Sequence, residues 1–77
     1  MALKRYKNLS GDSGVLAYEL SAGSIVVQFR DGWKYEYTDD SAGAAAVATM
    51  HGLALKGRGL STFISTKVRK AYARKFR

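Results

Sequence analysis

Residues 25–38, IVVQFRDGWKYEYT, decide the fold of this chain. Ile25, Val27 and Phe29 alternate with Val26, Gln28 and Arg30. After Asp31-Gly32 the alternation resumes, with Trp33, Tyr35 and Tyr37 set against Lys34, Glu36 and Thr38. Two period-two runs of β-branched and aromatic residues flanking Asp-Gly predict a β-hairpin. The pattern also selects the turn. A two-residue turn sets Phe29 opposite Lys34 and Val27 opposite Glu36, mixing charged and apolar groups on both faces. A three-residue turn, Arg30-Asp31-Gly32, pairs Phe29 with Trp33, Val27 with Tyr35 and Ile25 with Tyr37, leaving Gln28, Lys34 and Glu36 to water. A slip of one residue would exchange the two faces, so the three-residue turn with Gly32 at a G1 bulge is the consistent reading.

Working outward, Val15 to Leu20 reads as a strand before the hairpin, with Leu16, Tyr18 and Leu20 on its apolar face. The short turn Ser21-Ala22-Gly23-Ser24 pairs Leu20 with Ile25 and Tyr18 with Val27, which makes a three-stranded meander. Glu19, Lys34 and Glu36 on the outer strands discourage edge-to-edge association. Ahead of it, residues 1–12 form a basic arm (Lys4, Arg5, Lys7) in which Tyr6 or Leu9 is expected to dock on the sheet. The turn-formers from Ser10 to Gly14 separate it from one domain, residues 13–77.

The apolar sheet face needs a cover. Asp39-Asp40-Ser41 offers helix N-caps, and the alanine-rich run that follows carries Val47, Met50, Leu53 and Ala54 as one stripe. Gly43 and Gly52 sit inside this helix at a cost of about 1 kcal/mol each relative to alanine. Lys56-Gly57 marks its end. A second helix is predicted from Ser61 as N-cap to the C-terminus. Leu60, Ile64, Val68 and Ala71 centre its inner face; Arg69, Lys70, Arg74 and Arg77 lie opposite, and Lys67 and Lys75 at the margins. The expected fold is α+β: a three-stranded antiparallel meander with two C-terminal helices on one face.

The 77 residues suit one small domain and carry a net charge of +7 without a cysteine. Disulfides and thiolate metal sites are therefore excluded, and the absence of a membrane-length apolar run predicts a soluble, cytoplasmic protein. The charge is divided unevenly. Residues 1–40 contain five Lys/Arg and six Asp/Glu, net −1, whereas residues 41–77 contain eight Lys/Arg and no acid, net +8. Unpaired like charges repel, so this half predicts a polyanionic partner unless the cations serve only solubility and the helix C-terminus.

Ser13-Gly14-Val15 leading to Tyr18-Glu19, Ile25-x-Val27-x-Phe29, Gly32 and Tyr35-x-Tyr37 resemble the KTSC domain, as do the later small-residue loop and the segment carrying Val68 and Tyr72. This short domain is named for the C-terminus of some lysyl-tRNA synthetases and also stands alone in bacterial proteins. The resemblance spans Ser13 to Tyr72, with Tyr35-x-Tyr37 after Phe29 and Gly32 its most specific element. It implies a bacterial or phage-borne domain with RNA binding as the suggested role, and it supplies no catalytic residues. Thr38-Asp39-Asp40 stands where family members often have valine-proline. Phe63-Ile64-Ser65 stands where an aromatic pair and asparagine are usual.

The expected function is a non-enzymatic nucleic-acid-binding module, RNA favoured, contacting phosphates through Arg58, Lys67, Arg69, Lys70, Arg74 and Arg77. The alternative is a protein-interaction domain that docks the same basic helix on an acidic partner. Gly57-Arg58-Gly59 can be read as a phosphate cradle at a helix start or as a plain connector; it lacks the Gly-Lys-Ser/Thr of a Walker loop. Tyr18, Trp33, Tyr35 and Tyr37 can be read as a base-stacking platform or as core. Asp39 and Asp40 fit caps better than a catalytic pair, and the lone His51 has no second ligand for a metal. No cofactor, metal or catalytic residue is expected.

Overall fold

The computed structural model describes residues 3–9, 11, 14–68 and 70–77. Its strands are β1 (Lys4–Arg5), β2 (Val15–Ser21), β3 (Ser24–Phe29), β4 (Lys34–Thr38) and β5 (Arg74–Phe76). The helices α1 (Asp39–Ala42), α2 (Ala44–Lys56) and α3 (Leu60–Phe63) fall between β4 and β5, with α3 running into a π-helical turn, Ile64–Val68. The five strands form one antiparallel sheet in the order β1-β2-β3-β4-β5. The α+β class is as expected; the three-stranded sheet is not, because a further strand adds at each edge.

The hairpin register follows the sequence pattern. Val27 pairs with Tyr35 and Ile25 with Tyr37. Gly32 N–H donates to Phe29 O and Phe29 N–H to Trp33 O, each at 2.9 Å, which closes the three-residue turn. Gly32 has φ +92°, a left-handed value that glycine adopts without strain. Tyr18 pairs with Val27 and Leu20 with Ile25, also as the alternation requires. The start of β2 departs from it. Val15 pairs with Phe29 but Ala17 with Gln28, so Leu16 is an extra residue in a β-bulge. The bulge turns Val15 into the core, at 2% exposure, and leaves Leu16 at 42% instead of on the apolar face.

The N-terminal segment is built into the domain. β1 pairs Lys4 with Tyr18 and Arg5 with Ala17. Tyr6 is buried, and its hydroxyl accepts the Leu60 N–H at 3.3 Å across 54 residues. Leu9 stays exposed, but its N–H donates to Gly57 O at 2.7 Å. Of the turn-formers Ser10 to Gly14, residues 10, 12 and 13 lie outside the described residues.

Helix α1 is capped one residue before the predicted candidates. Thr38 is the N-cap, and Thr38 and Ser41 make a reciprocal capping box, with Asp39 and Asp40 in the first turn, where carboxylates suit the dipole. The expected single helix is interrupted at Gly43, and α2 ends at Gly57 in the left-handed conformation (φ +85°), as Lys56-Gly57 predicted. Val47, Met50 and Ala54 are its buried residues, and Leu53 packs at the margin. Gly52 faces open space, so close packing does not explain it.

The second predicted helix is corrected most. It begins at Leu60 with Gly59, not Ser61, as N-cap, and its helical geometry ends at Val68. Ser65 and Thr66 hydroxyls both turn back onto Thr62 O, at 3.1 and 2.7 Å, a local competition with helix continuation. Beyond it Ala73 N–H donates to Glu36 O at 2.6 Å, and the chain joins the free edge of β4. The ladder satisfies edge groups of β4 that a helix would have left to water. One core joins the sheet face (Tyr18, Ile25, Val27, Tyr37) to Val47, Met50, Leu60, Ile64 and Val68 from the helical layer.

Candidate functional site

The β4–β5 margin gathers the chemistry. β5 pairs Lys34 with Phe76, Tyr35 with Lys75 and Glu36 with Arg74. Alternation therefore sends Arg74 and Phe76 to the uncovered face and Lys75 to the helix-covered face. On the uncovered face Arg74 Nε donates to Glu36 Oε1 at 2.7 Å, and its guanidinium lies 4.5 Å from the Phe76 ring centroid, with Lys34 Nζ at 5.8 Å. On the other side Lys75 Nζ sits 4.7 Å from the Trp33 ring centroid and 5.4 Å from that of Tyr35. Arg77 lies 4.5 Å from Trp33. These cations rest on ring faces, whose quadrupoles attract them without cancelling their charge.

Behind Lys75 a cleft of about 650 Å³ opens between the sheet and the start of the last helical segment. Phe29, Tyr35, Tyr37 and Tyr72 are its rings, and Ser61, Ile64 and Ser65 belong to its helical wall. Arg30, Lys70 and Lys75 bring positive charge to it, and Asp31 brings the one acid among its described lining residues. The rings make edge-to-face contacts: Phe29–Tyr35 at 5.3 Å, Tyr35–Tyr72 at 5.1 Å and Tyr37–Tyr72 at 6.3 Å. Tyr37, 1% exposed, is the floor. Burial, then the neighbouring Tyr35 and Tyr72 hydroxyls, pushes its phenol up to about 12, so it stays neutral at physiological pH.

The sequence-predicted cations do not form one helical face. Arg58 is exposed in the α2–α3 loop and Lys67 on the π-helical turn, and neither lines the cleft. Lys70 does. Arg74 is on the opposite sheet face with Glu36, and Arg77 is braced on Trp33. Arg69 lies outside the described residues. At the Gly57-Arg58-Gly59 loop the Gly57 N–H donates to Leu53 O and the Leu60 N–H to the Tyr6 hydroxyl, so these two donors are committed within the protein. Tyr18 and Tyr37 belong to the core, whereas Trp33 and Tyr35 remain partly exposed. His51 is half-buried, not a surface residue, and its Nε2–H donates to Ser24 O at 2.7 Å. Asp39 and Asp40 stand apart from the cleft.

Arg30, Lys75 and Tyr72 are site residues that the sequence reading missed. Lys75 was signalled by the strand alternation of Arg74 and Phe76 against Lys75 and Arg77; no local pattern signalled Arg30 or Tyr72. Among the described residues no group of His, Asp and Glu is placed to hold a metal ion, and no helix is long and apolar enough to cross a membrane. No family model, curated protein or solved structure matches the chain.

Proposed function

We propose that this domain is a non-enzymatic nucleic-acid-binding module, RNA favoured, which meets its ligand at the β4–β5 margin and not through a basic helix. The observation that carries the reading is the state of its cations. Residues 41–77 contain no acid, and among the described residues no carboxylate is within ion-pair distance of Lys70, Lys75 or Arg77. Lys75 and Arg77 are instead braced on Trp33. Cations beside partly exposed rings suit a ligand that alternates phosphates with flat bases. The resemblance to the KTSC domain points the same way.

The test is a binding titration at two salt concentrations. With three or four phosphates held by Arg30, Lys70, Lys75 and Arg77, log K is expected to fall against log salt with a slope of about −2 to −3 on single strands. Lys70→Gln with Lys75→Gln should reduce that slope by about 1.4, with near-ultraviolet dichroism verifying that the fold persists. An affinity indifferent to salt overturns the reading. So does undiminished binding by the double variant.

A further inference from the structure

Resting on that reading, we infer that the cleft is a pocket for one unpaired base and its phosphate, so that the domain selects single strands over duplex. Backbone charge alone does not separate the two, because both present phosphates. The cleft does. At about 650 Å³ it is of the size of small-molecule sites, typically about 300–1,000 Å³, and it is lined by aromatic rings that phosphate contact alone would not use. Its rings come from three separate places, β3 (Phe29), β4 (Tyr35, Tyr37) and the segment before β5 (Tyr72). Tyr35 and Tyr72 already meet edge to face, so a base entering beside them finds a ring face on one side and ring edges on the other.

Polar groups stand where a nucleotide needs them. Ser61, Ser65 and Asp31 line the cleft with hydroxyls and one carboxylate, groups that can meet base-edge donors and acceptors. Lys70 and Lys75 are both exposed cations of the same cleft, suited to the phosphate that follows the base. A paired base enters only by leaving its stack at a cost of a few kcal/mol, which an unpaired base does not incur. Stacking tolerates every base, so selection for single strands is expected with weak sequence preference.

The experiment fills the cleft without removing any ring. Ser61 and Ser65, one turn apart on its helical wall, are changed together to leucine, and wild type and variant are titrated with an RNA octamer of uridines and with a blunt RNA duplex at one salt concentration. Wild type is expected to bind the single strand about tenfold more tightly than the duplex. Ser61→Leu/Ser65→Leu should lose about tenfold on the single strand and leave duplex affinity and the salt slope unchanged. Tyr72→Leu, checked for folding, should lose a similar factor. Equal affinity for strand and duplex, or a variant that keeps its single-strand affinity, overturns the base pocket while salt-dependent binding leaves the nucleic-acid reading standing. Failure to bind either polymer overturns both. Uridine monophosphate binding more tightly than the octamer also overturns the inference, in favour of a free nucleotide as ligand.

Discussion

Gly57→Ala tests how firmly the N-terminal segment holds the corner between α2 and α3. A Cβ built on Gly57 would lie 2.6 Å from Lys7 Cβ, and 3.3 Å from its Cγ and Cδ. Carbon atoms in contact prefer roughly 3.5–4.0 Å, so the arm must move by about 1 Å. Lys7 Cβ is fixed to its backbone and cannot swing aside as a side-chain end would. The displacement strains two bonds that flank it, Leu9 N–H to Gly57 O and Leu60 N–H to the Tyr6 hydroxyl. Losing or weakening these costs about 0.5–1.5 kcal/mol each. The left-handed backbone at φ +85° adds roughly 1–2 kcal/mol for any residue with a Cβ. The expected loss is about 2–5 kcal/mol, a large share of the roughly 4–11 kcal/mol available to a 77-residue domain.

Gly32→Ala is the internal standard. Its φ is +92° with nothing within 4 Å of the added carbon, so only the backbone contribution of roughly 1–2 kcal/mol applies. Both variants would be measured by urea unfolding followed through Trp33 emission. A double-mutant cycle with Lys7→Gly isolates the collision, because removing Lys7 Cβ removes the obstacle. Gly57→Ala should cost about 1–3 kcal/mol less in the Lys7→Gly background. Equal costs in the two backgrounds, or a Gly57→Ala no worse than Gly32→Ala, would refute the contact.

The remaining predictions concern two buried tyrosines. Tyr6→Phe leaves the Leu60 N–H without its acceptor at a buried position and should destabilise by about 1–3 kcal/mol, measured by the same unfolding titration. Tyr37 carries a pH dependence whose sign is fixed by its raised pKa. In the unfolded chain a tyrosine ionises near about 10, whereas in the fold Tyr37 keeps its proton to about 12. Between those values the folded state binds the extra proton, so its contribution is complete below about pH 10 and is lost as pH rises towards 12, on the order of 2–3 kcal/mol in all. Tyr37→Phe should lose less stability than wild type between pH 9.5 and 12, lysine titration being common to both. Parallel pH profiles would show that the phenol is not held neutral by the fold.

The hairpin was legible because all its signals are local. Alternation fixes which side chains share a face, and only one turn length keeps Phe29, Val27 and Ile25 on the same face as Trp33, Tyr35 and Tyr37. The α2 C-terminus was legible for the same reason, in Lys56-Gly57. What was hidden depends on partners distant in sequence. Nothing within Lys4-Arg5-Tyr6 announces that Tyr6 will accept the Leu60 N–H, and nothing in Val15-Leu16-Ala17 announces a bulge, since both apolar residues suit the core equally.

The tail was the decisive ambiguity, and it explains why the cations were identified and their neighbours were not. Ile64, Val68 and Ala71 continue a helical stripe, while Arg74 and Phe76 alternate with Lys75 and Arg77. Local propensity leaves the two close, and the open edge of β4 decides between them through Ala73 and the ladder beyond it. Each choice gives the same charges a different chemistry. A helix would carry Arg74 and Arg77 together on one solvated arc, where they could do little but attract anions. The strand separates alternate residues, so that Arg74 joins Glu36 and Phe76 on one face while Lys75 enters the cleft beside Tyr35 on the other. Only in the second arrangement does Lys75 share a cavity with aromatic rings. On the proposed reading, discrimination among polyanions depends on the β4–β5 pairing, and a variant that frees β5 from β4 should keep much of its charge-driven affinity yet lose its preference for single strands.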